Sequence, residues 1–294
     1  MKLVAAATLG VALFIWTLAH VGLAQLVAQA THLGPVVPVM VALAAVRFAL
    51  QAAGWRLAMP NATRPPLLHA IRAVIAGEAA GYLTWGPISR EPVKALMVSD
   101  HTPEGASLTA AIVERIAYMT AATALIAVSL CLVAVRAGRA SWILPSIALT
   151  SIAVAAWMLV RHRFSRIRLT RVSLSSRTVA TLGLLAGLQE IINVFETHLA
   201  LTWLGAVPSL EAAIALEGLN RLANAPAQVI PGKMGVLELA GSAFAGALHL
   251  GDANGLTLVL ARRVRSLIWT GIGILLLSSS ASRSRATQPD PVVA

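Results

Sequence analysis

Long apolar runs alternate with short polar stretches along most of the chain. A helix needs about 20 apolar residues to cross a hydrocarbon core of about 30 Å. Six stretches approach or reach this length: residues 3–19, 36–55, 108–135, 142–160, 179–204 and 256–277. The pattern therefore predicts an all-α polytopic membrane protein with six spanning helices.

The first apolar stretch has a second interpretation as a signal peptide. It follows Lys2, and Ala28-Gln29-Ala30 has the small-x-small form of a cleavage site. However, the stretch is longer than the usual apolar core of a signal peptide, about 7 to 15 residues. We expect an uncleaved span, with cleavage as the alternative.

Two further regions are moderately apolar but interrupted. Residues 67–98 contain Gly86 and Pro87 together with several charges, and residues 210–250 contain Pro231 and further glycines. Neither region fits a continuous spanning helix of about 20 apolar residues. Two short helices that meet at a Gly/Pro break fit each region better.

Basic residues set the expected orientation in the membrane. Six arginines and no acidic residue lie between positions 161 and 177, and such loops favour the cytoplasmic side of the membrane. Counting spans outward from this loop places both termini in the cytoplasm of a bacterial inner membrane. It also requires residues 67–98 to enter and leave from the cytoplasmic side, and residues 210–250 from the external side. Each interrupted region is therefore predicted to be a re-entrant helical hairpin.

The two halves of the chain repeat one order of elements: span, span, interrupted hairpin, span. A shift of 147 residues lays Glu91 on Glu238 and Arg115 on Arg262. Because three full spans separate equivalent points, the second copy is expected to lie upside down relative to the first, which is the inverted-repeat plan of secondary transporters. Chance identity, or common ancestry without alternating access, are the alternatives. The predicted domains are a first repeat at 1–140, a second at 141–280 and a disordered tail at 281–294.

Composition agrees with a membrane protein and narrows its partners. Hydrophobic residues make up 57% of the chain and charged residues 12%, against about 25% charged residues in soluble domains. The net charge of +11 would indicate nucleic acid in a soluble protein. Here the basic residues lie beside apolar tracts, which favours anionic lipid as the partner and no nucleic acid.

Signatures of enzymes and metal sites are missing from the sequence. The single cysteine, Cys131, can form no internal disulfide and complete no zinc site. The sequence has no phosphate-binding loop, no His-Glu-x-x-His motif and no Gly-x-Ser-x-Gly turn. We therefore expect no cofactor, no metal and no catalytic residues.

Charged side chains within the apolar regions are the candidate functional groups. A charge at the centre of a span costs at least about 2.5 kcal/mol, so it should pair or face water. A broken backbone at membrane depth likewise implies a cavity. There, basic groups would hold a phosphate or other anionic group, and acidic groups would fix those cations or carry protons. The candidate substrate-binding residues are Glu78, Arg90, Glu91, Lys94, Arg115, Glu190, Gly232, Lys233, Gly235, Glu238 and Arg262.

Structural roles are the alternatives for several of these residues. Glu91 and Glu238 are each expected near a helix N-terminus, where a carboxylate is stabilised by the helix dipole. They could be caps, or ion-pair partners of Arg115 and Arg262.

The first hairpin has its own alternative. Arg90, Glu91 and Lys94 fit a solvated turn at the cytoplasmic surface. Glu78 lies more than a helical turn further inside, so this interpretation suits it less well.

Spacing predicts which charges share a helix face. Glu190, Asn193 and Glu196 follow one another at intervals of three residues, as do Arg262 and Arg265. A buried ion pair is the expected role of Glu190, and a proton-carrying carboxylate is the alternative.

Four motifs together resemble the lysylphosphatidylglycerol synthase transmembrane family. They are the run 77–94, Val113-Glu114-Arg115, the turn Pro231-Gly-Lys-Met-Gly-Val-Leu-Glu238, and Arg262. The resemblance extends over nearly the whole chain, and the turn is its most specific element. This family is the flippase-like domain found at the N-terminus of the multiple peptide resistance factor and as free-standing proteins.

The chain departs from the family pattern at several positions. The turn usually reads Pro-Gly-Gly-x-Gly, so Lys233 is a departure. The first hairpin commonly has proline where Thr84 stands, and Gly-Gly where Ser89 and Arg90 stand. These departures bear on the substrate and not on the fold.

The resemblance implies movement of a lipid between leaflets, by flipping or by scrambling. A phospholipid, a hopanoid or a polyprenyl-linked lipid would be the substrate. The aminoacyltransferase domain of the fused proteins has no counterpart in this sequence, so synthase activity is not expected. The alternative is a non-transporting membrane subunit that supports a lipid-modifying enzyme or glycosyltransferase of a hopanoid or glycolipid pathway.

Overall fold

The structure is a computed structural model that describes residues 34–83, 87–136, 175–227 and 235–286. These residues form eight α-helices, a short 3-10 turn at Asn61–Thr63 and no β-strand. The helices are α1 (Val36–Ala58), α2 (Leu67–Leu83), α3 (Pro87–Met97), α4 (Glu104–Arg136), α5 (Ser176–Trp203), α6 (Leu210–Ala227), α7 (Val236–Ala247) and α8 (Asp252–Ala286).

Three of the predicted spans are confirmed as helices. The stretches 36–55 and 108–135 lie within α1 and α4, and the stretch 179–204 lies within α5 except for Leu204, the residue after its end. Each of these helices is long and apolar enough to cross a membrane. The predicted spans at 3–19 and 142–160 lie outside the described residues. The chain is therefore a multi-pass membrane protein.

The last helix is longer than the sequence analysis predicts. The span expected at 256–277 lies within α8, but α8 continues to Ala286. A disordered tail was predicted to begin at residue 281, and this boundary is wrong for residues 281–286. The helix continues because no proline interrupts it before Pro289.

Each interrupted region contains two short helices, as predicted. Helices α2 and α3 have 17 and 11 residues, and α6 and α7 have 18 and 12. Helix α2 packs on α3, and α6 packs on α7. The breaks at 84–86 and 228–234 lie outside the described residues. The side from which each pair enters the membrane stays a prediction.

Two arginines hold the loop between α1 and α2 against the end of α1. Arg56 Nε donates to the Pro65 carbonyl at 2.7 Å. Arg64 donates to the carbonyls of Met59 and Leu57 at 3.0 and 2.9 Å. Partial burial and the neighbouring Arg56 guanidinium lower the pKa of Arg64. These bonds satisfy carbonyls that a helix C-terminus leaves without partners.

Helices α1 and α5 cross antiparallel. Val36, at the start of α1, lies in one apolar cluster with Ala200 and Leu201 near the end of α5. At the other end, a Cβ at Gly54 of α1 would lie 3.6 Å from Leu182, near the start of α5. The two helices occupy equivalent places in the two halves of the chain.

Two apolar cores lie at opposite ends of the α1–α5 pair. Alanine is frequent in both, and small residues allow helices to approach closely. The α6–α8 core consists of Val36, Met40, Ala200, Leu201, Ala212, Leu216, Ala245, Leu250, Leu258 and Ala261. The α2–α4 core consists of Ala52, Trp55, Ala58, Met59, Ala70, Ala73, Val74, Val98, Ala110, Ala111 and Leu182. The middle of α5 lies between the two cores.

The packing partners of the helices repeat between the two halves. Helix α4 packs on α6, and α8 packs on α2. Likewise, the contact of α1 with α2 corresponds to that of α5 with α6. The contact of α3 with α4 corresponds to that of α7 with α8. Exchanging the two halves therefore leaves this pattern of helix contacts unchanged.

The close approach of α7 and α8 gives a test of this packing. A Cβ at Gly255 would overlap the carbonyl oxygen of Gly241, whereas a Cβ at Gly271 of the same helix meets no described atom within 4 Å. We expect Gly255→Ala to destabilise the protein by about 1–3 kcal/mol, the usual range for overpacking. Thermal unfolding of detergent-purified protein measures the change. Gly271→Ala is the matched control, and equal unfolding temperatures for the two variants would contradict the α7–α8 contact.

Candidate functional site

Polar side chains cover the middle of α5, between the two apolar cores. Glu190, Asn193, Glu196 and Thr197 are all buried. Asn193 Nδ2 donates to Glu190 Oε2 at 3.2 Å. The shared face of Glu190, Asn193 and Glu196 that their spacing predicts is confirmed, and this face points into the protein.

Arg262 of α8 joins α5 to α6. Its Nε lies 3.0 Å from Glu196 Oε1, and its Nη2 lies 2.7 Å from Glu217 Oε2. The same Nη2 donates to the Thr197 hydroxyl at 2.8 Å, and that hydroxyl donates to Glu217 at 2.8 Å. One guanidinium therefore binds side chains from two other helices.

Arg221 of α6 forms a second set of contacts between helices, which sequence analysis missed. Its Nε lies 3.2 Å from Glu217 Oε1, and its Nη2 lies 3.1 Å from Glu190 Oε2. It also donates to the hydroxyl of Tyr118 on α4. The four-residue spacing of Glu217 and Arg221 on α6 was the available signal, because such pairs share a helix face.

Glu238 is both a helix cap and an ion-pair partner. It accepts a hydrogen bond from the backbone N–H of Gly235 at 2.9 Å, at the start of α7. Its ion-pair partner is Arg263. The pairing with Arg262 that the sequence left open is wrong, because adjacent residues of α8 point about 100° apart and Arg262 faces α5 and α6.

Except for the separate pair of Glu238 with Arg263, these groups form one connected network. Arg265 completes it by pairing with Glu196. The central network is defined as Glu190, Glu196, Glu217 and Glu238 with Arg221, Arg262, Arg263 and Arg265. Four carboxylates thus face four guanidinium groups. Pairing removes most of the penalty for placing charges at this depth.

A second cluster lies where α2 meets α3. Arg90 Nη2 lies 2.9 Å from Glu78 Oε2, and Lys94 Nζ lies 2.7 Å from Glu91 Oε2. Lys94 is 0% exposed, and its ammonium lies 4.8 Å from the centre of the Trp55 ring, a cation–π distance. A solvated surface turn is therefore the wrong interpretation for Lys94. We call Glu78, Arg90, Glu91 and Lys94 the hairpin cluster.

Gly77 explains how Lys94 comes to be buried. A Cβ at this position would lie 2.6 Å from Lys94 Cγ and 2.9 Å from the Arg90 carbonyl oxygen. Only a residue without a side chain leaves room for this approach. The aliphatic part of Lys94 lies in the space above Gly77, and its ammonium reaches Glu91.

Arg115 and Arg47 form no ion pair with the residues that the structure describes. Arg115 lies 5.2 Å from the centre of the Tyr118 ring. The pairing of Arg115 with Glu91 that the sequence left open is wrong, because Glu91 pairs with Lys94. Arg47 of α1, a residue that sequence analysis missed, has a buried Nε without a hydrogen-bond partner.

The glycine turn of the second half is only partly described. Gly232 and Lys233 lie outside the described residues. Gly235 has φ 80° and precedes the first residue of α7, a backbone conformation that favours glycine. Within the described ranges, no three His, Cys, Asp or Glu side chains are placed to hold a metal ion.

Comparison with known proteins gives a family match over most of the chain. A family model described as lysylphosphatidylglycerol synthase TM region matches residues 3–273. The matched range includes the central network and the hairpin cluster. The comparisons with curated proteins and with solved structures found no match.

The central network predicts a large loss of stability when one partner is removed. Glu217→Gln leaves Arg221 and Arg262 without the carboxylate that they share, and breaking a buried pair costs about 3–5 kcal/mol. We expect the unfolding temperature of detergent-purified protein to fall accordingly. Glu211→Gln is the matched control, because Glu211 lies on the same helix and is exposed. Equal unfolding temperatures for the two variants would show that the network contributes nothing to stability.

Proposed function

Because the chain belongs to the lysylphosphatidylglycerol synthase TM family, we propose that it moves an anionic or amphipathic lipid between the leaflets of a bacterial inner membrane. The family places it among membrane proteins of lipid metabolism. In this proposal the substrate is a phospholipid, a hopanoid or a polyprenyl-linked lipid. The protein itself does not modify the lipid covalently, and both termini lie in the cytoplasm.

The main support is the two clusters of ion-paired side chains among the apolar helices. A polar head group crossing the membrane needs polar partners at mid-depth, since the hydrocarbon offers none. The central network and the hairpin cluster supply such partners from α2, α3 and from α5 to α8. The lipid tails would stay in the bilayer while the head group passes along these side chains.

The antiparallel crossing of α1 and α5 supports an inverted repeat. If both helices span the membrane, the halves to which they belong have opposite orientations. The repeated packing of α4 on α6 and of α8 on α2 is what a two-fold axis in the membrane plane would produce. Exchange of conformations between such halves opens a central site first to one side and then to the other.

In this proposal the basic side chains bind the head group of the lipid. Arg115 and Arg47 form no ion pair with described residues, so their guanidinium groups have donors available for a phosphate or carboxylate. Arg90, Lys94 and Arg262 are already paired. In this proposal they contribute further hydrogen bonds, and the acidic partners keep them in position.

A liposome assay tests the proposal. The purified protein is reconstituted into liposomes that carry a fluorescent phosphatidylglycerol, and dithionite is added to quench the outer leaflet. We expect the quenched fraction to rise above that of empty liposomes, because the protein brings inner-leaflet lipid to the outside. A fluorescent phosphatidylcholine in a parallel series shows whether the head group must be anionic.

Variants assign the movement to the proposed site. We expect Arg115→Gln to slow the movement of phosphatidylglycerol about tenfold, the equivalent of one charge-assisted hydrogen bond. Arg177→Gln is the control, since Arg177 is exposed at the start of α5. A quenched fraction equal to that of empty liposomes would overturn the transport proposal and favour the non-transporting subunit. Equal rates in both variants would remove Arg115 from the site.

A further inference from the structure

Glu114 of α4 is a buried carboxyl group outside both charge clusters. It is 4% exposed, and its Oε2 has no hydrogen-bond partner. Within the described part of the chain it makes no ion pair. Glu190 also has one unpartnered oxygen, but its other oxygen binds Arg221 and Asn193.

The surroundings of Glu114 are largely apolar. A Cβ at Gly54 of α1 would lie 3.6 Å from Glu114 Cγ, and 3.6 and 3.8 Å from Leu182 and Leu185 of α5. The side chain therefore lies where α1, α4 and α5 meet. Water that could solvate an ionised carboxylate is displaced there by hydrocarbon side chains.

Four charged groups act on Glu114 through space. They are Lys94 and Glu91 of α3, Glu78 of α2, and the adjacent Arg115. Lys94 is the only one of the four that is fully buried, and its ammonium already pairs with the Glu91 carboxylate at 2.7 Å. Arg115 lies over the Tyr118 ring.

A neutral carboxylic acid fits this position, whereas an ionised one does not. Burial of an unpaired carboxylate costs several kcal/mol, and the group avoids this penalty by holding a proton. Ionisation becomes favourable when an ammonium group approaches. Lys94 is the candidate, because its ammonium is buried, pairs with a single carboxylate and lies 4.8 Å from the ring centre of Trp55, the neighbour of Gly54 on α1.

We propose that Glu114 is a proton-binding site whose protonation determines the partner of Lys94. With the proton bound, Lys94 pairs with Glu91, as in this structure. After the proton leaves, Lys94 turns to Glu114, and Glu91 of α3 loses its cation. The coupling of this exchange to lipid movement rests on the proposed function, and it would allow a proton gradient to drive the movement.

Infrared difference spectroscopy of the full-length protein tests the proton site without a transport assay. Spectra in acidic and alkaline buffer, in H2O and in D2O, reveal the carbonyl stretch of protonated carboxyl groups. We expect a band that loses intensity in alkaline buffer, shifts in D2O and is missing from Glu114→Gln. Glu104→Gln is the matched control, because Glu104 lies on the same helix and is exposed. An unchanged band in Glu114→Gln overturns the proposal.

Lys94→Gln tests whether Lys94 exchanges Glu91 for Glu114 as its partner. It also tests the proposal if Glu114→Gln does not fold. Without the ammonium, the ionised form of Glu114 loses its only proposed partner. The carbonyl band should then persist in buffer more alkaline than that at which the wild-type band disappears. A band that disappears at the same pH in both proteins overturns the role of Lys94.

The link to transport is measured separately in liposomes with an imposed pH gradient. We expect the gradient to accelerate lipid movement by the wild-type protein and by Glu104→Gln, but not by Glu114→Gln. If the gradient accelerates lipid movement equally in all three proteins, the coupling of the proton site to transport is overturned. The proton site itself is decided by the infrared result. Absence of lipid movement in every protein overturns the proposed function instead.

Discussion

Neutralisation of buried charge is the constraint on which the second half of this protein depends. A guanidinium within an apolar span should pair with an acidic group or face water, and Arg262 has two acidic partners, Glu196 of α5 and Glu217 of α6. Glu217 is in turn shared with Arg221. Because Arg262 of α8 pairs with α5 and α6, and Arg221 of α6 pairs with Glu190 of α5, these three helices cannot separate without breaking ion pairs. A movement that exposes a substrate path has to carry these helices together or exchange their partners.

The two halves share their packing but only some of their charges. Under the 147-residue shift, Glu190, Glu196, Glu217 and Arg221 fall on apolar positions of the first half: Leu43, Ala49, Ala70 and Val74. The first half instead has the hairpin cluster on α2 and α3. Helix contacts depend mainly on small residues and shape, so they survive where the charges differ. The protein therefore combines a repeated scaffold with two dissimilar polar clusters.

The sequence predicted the helices well because apolar run length and helical spacing are local properties. The run at 179–204 and the face shared by Glu190, Asn193 and Glu196 are examples. The partners of the charges could not be predicted in the same way. Glu238 binds Arg263 and not its neighbour, a choice set by the rotation of α8 against α7. Lys94 is buried because Gly77 lies opposite it on another helix, which spacing along one helix does not reveal.

The contact between Gly241 and Gly255 leaves no side chain between the backbones of α7 and α8. The ion pair of Arg263 with Glu238 ties the same two helices a second time. Together these contacts are expected to make α7 and α8 move as one rigid unit. A spin label or fluorophore at an exposed position of α8, such as Leu275, would consequently report the displacement of α7 as well.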